Sequence, residues 1–275
     1  MAESVALIVL GLAAGTFGTL VGSGGGFILV PVLLLAYPGR EASTITAMSL
    51  LVVFANAASG AAAYGWQRRI DLRSGGWFAL ATLPGAVAGA LLVHLLPRRG
   101  FDALFAAVLG LAGAYLLARR RSALIREPLA GRGVVTRTMR DREGYSYVYR
   151  YRLWQGMVLS TGVGFLSSLL GIGGGIVHVP IMVLVLRFPV HIAVATSQFV
   201  LALTALQGTA VHLASGSLAH GGAAPDAALL ALGVVPGAQL GARLAARLRG
   251  ETIVRVLAVA LLLAAARLAL AGVLG

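Results

Sequence analysis

The chain has 275 residues, 59% hydrophobic and only 11% charged, whereas a soluble domain carries about 25% charged residues. That composition excludes an ordinary soluble fold, and the absence of cysteine excludes disulfides and thiolate metal sites. The net charge is +13 and all basic residues are arginine; without lysine, the glycine runs described below are not phosphate-binding P-loops.

Uncharged apolar runs recur along the whole chain and predict an all-α polytopic membrane protein. Met1-Ala2-Glu3-Ser4 carries an acid where a secretory signal needs positive charge, so no signal peptide is expected. The first apolar stretch runs from Val5 to Tyr37 and is interrupted by Gly22-Ser23-Gly24-Gly25-Gly26. As one straight helix it would reach about 50 Å, against a hydrocarbon core of about 30 Å. Glycines also break helices at about 1 kcal/mol each. A broken, re-entrant hairpin is predicted, followed by three transmembrane helices: Ala42 to Trp66, Gly76 to Leu96 and Phe101 to Ala118.

A basic linker follows, residues 119–152, with ten arginines against Glu127, Asp141 and Glu143. Tyr145, Tyr147, Tyr149 and Tyr151 alternate with other residues at the period of a strand, and Asp141-Arg142-Glu143-Gly144 reads as a turn. A two-stranded β-hairpin is predicted. An isolated hairpin is marginal in water, so this one needs cover from the membrane body or from a second protomer in a homodimer. The linker is read as a cytoplasmic segment, not a nucleic-acid site.

The second half repeats the first. Leu153 to Leu186 is broken at Gly171-Ile172-Gly173-Gly174-Gly175; Val190 to Ser215, Ala227 to Leu248 and Thr252 to Ala271 follow. Ala47-Met48-Ser49 matches Ala195-Thr196-Ser197, and Gly60 matches Gly208. Pro84-Gly85-Ala86-x-x-Gly89-Ala90 matches Pro236-Gly237-Ala238-x-x-Gly241-Ala242. The division is therefore 1–118, a first membrane repeat; 119–152, the linker; and 153–275, a second repeat.

Arginine placement sets the expected topology. If each broken segment crosses once, the halves are parallel and arginines fall on both sides. If each dips in and returns, the halves are inverted repeats, and Arg68, Arg69, Arg73, the linker, Arg187 and the Arg243 to Arg255 group share one side. The second arrangement satisfies the positive-inside rule. The expected placement is a bacterial inner membrane with the linker cytoplasmic and both termini periplasmic.

Each glycine break opens a half-helix whose first N–H groups are unpaired and lie at the positive end of its dipole. Two such N-termini meeting at the midplane make a site for a small anion. Pro31 and Pro180 are placed in the first turns. The candidate site residues are Gly22, Ser23, Gly24, Gly25, Gly26, Ser49 and Asn56 in the first half, then Gly171, Gly173, Gly174 and Gly175, with His178 three residues past that second run. Thr196, Ser197, Gln198, Thr204 and Gln207 complete the set from the following helix. The glycine pairs such as Gly85 and Gly89 read instead as helix packing. No Asp or Glu lies deep in a span, so a carboxylate proton or sodium site is not expected. His178 is the single titratable group beside the breaks. No nucleophile, base and orienting group come together, so no catalytic residue, metal or other cofactor is predicted.

The Gly-x-Gly-Gly-Gly runs, each with Val-Pro close behind, together with Ala195-Thr196-Ser197, the paired Pro-Gly-Ala-x-x-Gly-Ala motifs and the tyrosine-rich linker, resemble the TauE/SafE family of sulfite exporters over nearly the whole chain. The resemblance implies export of small sulfur-containing anions, sulfite or sulfonates, across the inner membrane. Ala47-Met48-Ser49 departs from Ala-Thr-Ser by one hydroxyl. Two other readings stay open on the residues alone: a channel or permease for another solute, such as a metal ion or organic acid, and a membrane scaffold that transports nothing.

Overall fold

A computed structural model describes residues 2–118, 133–216 and 223–274. The first part of the basic linker, 119–132, with five of its arginines, lies outside the described residues. Among the described residues are ten α-helices and one β-hairpin. The first half contains α1 (Ala2–Val21), α2 (Gly26–Ala36), α3 (Ala42–Trp66), α4 (Leu72–Leu92) and α5 (Arg98–Ala118). The second contains α6 (Leu153–Leu170), α7 (Gly175–Pro180), α8 (Val190–Ala214), α9 (Ala223–Arg247) and α10 (Gly250–Leu274). Seven helices among the described residues are long and apolar enough to cross a membrane: α1, α3, α4, α5, α6, α8 and α9.

The halves interlock. The most extensive packing pairs α1 with α9, α4 with α6, α3 with α8, and α5 with α10. Each partnership joins one half to the other, and exchanging the halves maps the set onto itself. The paired Pro-Gly-Ala motifs make the first two contacts possible. A Cβ on Gly233, Gly237 or Gly241 would sit 2.0, 2.5 or 2.2 Å from the backbone oxygen of Ile8, Leu12 or Thr16. On the other side, one on Gly85 or Gly89 would sit 2.0 or 2.2 Å from that of Thr161 or Phe165. These glycines are packing residues, as expected of small residues between membrane helices.

The same contacts give helix directions. Facing pairs advance together along α1 and α9, so these run parallel, as do α4 and α6. Along α3 and α8, Gly60 faces Gln198 while Gly208 faces Leu50, so the two equivalent helices run antiparallel. So do α5 and α10, where Gly110 faces Ala265 and Gly113 faces Leu262.

Both broken segments fold back. α2 ends at Tyr37, where Arg40 stacks on the ring at 3.9 Å and pairs with Asp226 of α9 at 2.7 Å. That is the end at which α9, and hence its parallel partner α1, begins. In the second half α7 runs on as a π-helical turn, Ile181–Val185, and Leu186 returns beside Gly156 near the start of α6. One placement differs from expectation. Pro31 and Pro180 are the sixth residues of α2 and α7, beyond the first turn, so each removes a helical hydrogen bond to the residue four before it.

The hairpin joins β1 (Val134–Arg140) to β2 (Ser146–Arg152), antiparallel, with Val134 opposite Arg152 and Arg140 opposite Ser146. Its cover comes from the same chain. Tyr149 and Tyr151 are buried, with ring centroids 4.5 and 4.9 Å from Phe188, between α7 and α8. Tyr149 donates to the Asp71 carboxylate at 2.8 Å, Arg137 approaches that carboxylate at 3.5 Å, and buried Arg69 pairs with Asp141 of the hairpin turn at 3.2 Å. Asp71 also caps α4 through the Ser74 N–H at 3.0 Å. Burial, and then the Asp71 charge, push the Tyr149 hydroxyl far above its ordinary pKa.

Candidate functional site

The two glycine breaks cross at the centre of the molecule. A Cβ on Gly24 would fall among Leu201 and Val53, and one on Gly173 among the same two side chains. These are the twelfth residues of α8 and α3, near the middle of each 25-residue helix. The loops touch each other directly. A Cβ on Gly26 would lie 2.7 Å from the Gly171 oxygen, and one on Gly175 would lie 2.3 Å from the Gly22 oxygen. Only bare backbone fits, and it is buried in protein, the condition for irregular backbone at membrane depth.

Two serines latch the crossing. Ser49 Oγ on α3 donates to the Gly171 carbonyl at 2.6 Å, and Ser197 Oγ on α8 donates to the Gly22 carbonyl at 3.1 Å. Each half's Ala-x-Ser therefore holds the other half's loop. Their protons are spent on carbonyls, which leaves other groups to face a ligand. The chain turns into α2 and α7 through Gly25 and Gly174, which adopt left-handed φ of 82° and 71°. The first α2 hydrogen bond runs from Ile28 N–H to the Gly25 carbonyl at 3.0 Å. The N–H groups of Gly26 and Phe27 therefore precede the helical ladder.

Polar side chains flank the crossing. Thr19 Oγ1 donates to Asn56 Oδ1 at 2.9 Å, and Gln198 Nε2 donates to the Gly18 carbonyl at 3.3 Å. Asn56 Nδ2, Gln198 Oε1 and the hydroxyls of Thr46, Ser167 and Ser168 are buried with no hydrogen-bond partner among the described residues. Buried polar atoms without partners are uncommon and call for an explanation. Four of the five are donors, and carboxylates are absent from this set.

Other predicted site residues lie elsewhere. Thr196 Oγ1 accepts from the Asp71 N–H at 3.0 Å, at the start of α4. Thr204 shares a hydrogen bond with Thr82 at 2.9 Å, between α8 and α4. Gln207 is half-buried and lines an open cleft of about 480 Å³ with Arg73, Trp77 and Leu203. His178 is buried, with Nε2 3.3 Å from Ser160 Oγ and its ring edge-on to Phe78 at 5.9 Å; Nδ1 has no partner among the described residues. Ser23 is buried in the first loop and reaches only the Gly18 carbonyl, at 3.4 Å. Sequence reasoning missed Gly18, Thr19, Ser167 and Ser168. The signal was available: Gly18 and Thr19 stand four and three residues before Gly22, as Ser167 and Ser168 stand before Gly171. No group of three metal-ligating side chains occurs among the described residues.

These features define a multi-pass membrane protein whose buried centre consists of two crossed backbone loops, the architecture of a transporter with discontinuous helices. The family model described as "Sulfite exporter TauE/SafE" matches residues 7–268. The chain belongs to that family and is a membrane transporter. It is 34% identical to the probable membrane transporter protein YunE of Bacillus subtilis, over 98% of each chain. A probable membrane transporter protein of Methanocaldococcus jannaschii is 29% identical over 77% of this chain and 73% of its own. The probable membrane transporter protein MamO of Paramagnetospirillum magneticum is 27% identical over 94% of this chain and 42% of its own. No solved structure gives a significant match.

Proposed function

We propose that the protein exports small sulfur-containing anions, sulfite or sulfonates, across a bacterial inner membrane, and that the anion binds where the two glycine loops cross. The observation that carries this reading is the crossing itself. It brings two half-helix starts together at the middle of α3 and α8, with Asn56 Nδ2 and the Thr46, Ser167 and Ser168 hydroxyls unpartnered around it. Helix N-termini and neutral donors attract an anion without trapping it. The family's description supplies the sulfur chemistry.

The halves are read as inverted repeats, which the antiparallel α3–α8 and α5–α10 pairs support. The hairpin end is read as cytoplasmic and both termini as periplasmic. Arg69, Arg137, Arg140 and Arg142 cluster at the hairpin end, as the positive-inside rule requires. With no carboxylate at the crossing, an inside-negative potential suffices to drive export, at about 2.3 kcal/mol per charge per 100 mV.

The test is flux into liposomes holding the purified chain, with sulfite, sulfate, sulfonates and carboxylates as the panel. Sulfite or sulfonate efflux should rise with an imposed inside-negative potential and persist without a pH gradient. Asn56→Asp keeps the acceptor for Thr19 but replaces the free donor by negative charge, and should abolish flux. Absence of flux for every sulfur anion, or full flux in Asn56→Asp, would sink the reading.

A further inference from the structure

At the hairpin end of α3, an open cleft of about 670 Å³ is lined by Gly65, Trp66, Arg68, Arg140, Asp141 and Arg142, with Gly144 at its rim. Three of these are arginines, and none of the three has an acidic partner among the described residues. The one carboxylate in the wall is already committed. Asp141 takes Arg69 at 3.2 Å, the Tyr145 N–H at 2.9 Å and the Tyr147 hydroxyl at 3.2 Å. Glu143 is engaged with the same Arg69 guanidinium, at 3.2 Å. The cleft is therefore a concentration of positive charge that no free carboxylate balances among the described residues.

Its location narrows the ligand. Trp66 is the last residue of the apolar α3 span, and it is 69% exposed. Tryptophan at the end of a span marks the headgroup level of a bilayer. Arg142 stacks on its indole at 3.6 Å, and the Arg142 N–H donates to the Gln67 carbonyl at 3.1 Å, which pins the hairpin turn to the end of α3. Arg68 holds φ at +57°, a left-handed conformation uncommon for a non-glycine residue and costing about 1 kcal/mol or more. Trp66 is shared with a second cleft of about 320 Å³ between α3 and α9, floored by Ala62 and Ala63 and bordered by Gln67, Gln239 and Arg243. Trp66 therefore stands between two neighbouring clefts: one is cationic and outside the span, the other lies between two membrane helices over Ala62 and Ala63.

We propose that the two neighbouring clefts bind one anionic phospholipid, with its phosphate headgroup among Arg68, Arg140 and Arg142 and an acyl chain passing Trp66 into the α3–α9 groove. A free oxyanion would satisfy the arginines alone; the exposed Trp66 at the headgroup level and the neighbouring cleft over Ala62 and Ala63 favour the lipid. The bound lipid would then fasten the hairpin turn to α3 and α9 on the membrane face.

The test is native mass spectrometry of the full chain in detergent, with phosphatidylglycerol and phosphatidylcholine of matched acyl chains offered separately. Phosphatidylglycerol should be retained and phosphatidylcholine lost. The triple substitution R68Q/R140Q/R142Q should weaken retention on the order of 100-fold, from about fivefold per interfacial arginine. Trp66→Ala should weaken it with the arginines intact. The triple lysine variant R68K/R140K/R142K keeps the charge and should retain the lipid; its melting temperature guards against misfolding as the cause of loss. Equal retention of both lipids, or retention of phosphatidylglycerol by the glutamine variant, would overturn the site. Displacement by inorganic phosphate at concentrations comparable to the lipid would reassign the cleft to a free oxyanion and overturn the lipid assignment.

Discussion

In the first half the chain leaves its glycine break as a plain α-helix, α2, with Leu29 in its first turns and no side-chain hydrogen bond there. In the second half the matching position is His178, within reach of Ser160, and α7 lasts six residues before passing into a π-turn. In that turn Leu186 N–H bonds the Ile181 carbonyl at 3.0 Å, and Phe188 N–H bonds the Met182 carbonyl at 2.8 Å. The proline is common to both breaks, so it does not cause the difference. What is particular to the second half is Phe188, seated under Tyr149 and Tyr151 of the hairpin. The centre is symmetric because each loop needs the same bare backbone and the same serine from the other half. The ends differ in what packs on them: among the described residues a hairpin covers the second end alone. π-turns within helices concentrate at functional sites.

The comparison can be broken most severely at the glycines. Gly25 and Gly174 share a left-handed φ, so an alanine at either is strained by about 1–3 kcal/mol. The new Cβ at Gly25 would lie 2.6 Å from the Ala14 carbonyl oxygen, whereas at Gly174 it meets side-chain atoms of Val163 and Ser167 at 2.8 and 3.1 Å. Side chains shift more readily than backbone. Gly25→Ala should cost about 3–5 kcal/mol and Gly174→Ala about 2–3 kcal/mol, once overpacking is added to strain. Thermal melting in detergent checks the order, and equal losses would mean that the two loops are packed alike.

The latches come next. Ser49→Ala and Ser197→Ala each strand a buried carbonyl of the opposite loop, at about 1–3 kcal/mol. Ser49 makes the shorter bond and should cost more. An indifferent response at both positions would show that the loops are held by packing alone.

Cover of the second half is probed by Tyr149→Phe, which removes a hydrogen bond to the Asp71 carboxylate and should cost about 1.5 kcal/mol. The pH dependence has a definite sign. The folded-state pKa of Tyr149 is raised, chiefly by burial, so its contribution is intact below the ordinary tyrosine value and is lost as pH climbs past about 10. Tyr147 and Tyr151 shift the same way. Melting temperature should fall in that range, and less steeply in Tyr149→Phe. The smallest effect is expected from His178→Leu, which copies Leu29 into the second half. It loses one long hydrogen bond to Ser160, about 0.5 kcal/mol. Potential-driven efflux should survive; its collapse would make His178 part of the transport path.

Much of this protein was legible along the chain. The breaks at Gly22 and Gly171 and the hairpin are local signals, carried by periodicity and glycine content within a few dozen residues. The pairing of the helices was not legible, because α1 meets α9 and α4 meets α6 across long stretches of intervening chain. Nor was the use of each polar group. Ser49 and Ser197 belong to matching motifs, and only the crossing of the loops turns them toward each other's carbonyls. Thr196 sits beside Ser197 in sequence, yet the helix turns it by about 100° toward Asp71 instead. Where the backbone breaks and which residues face apolar surroundings follow from the order of residues alone, because glycine conformation and hydrophobicity act at the residue that carries them. The tertiary structure decided which donor each carbonyl receives, because a buried hydrogen bond depends on two segments arriving at one point in space.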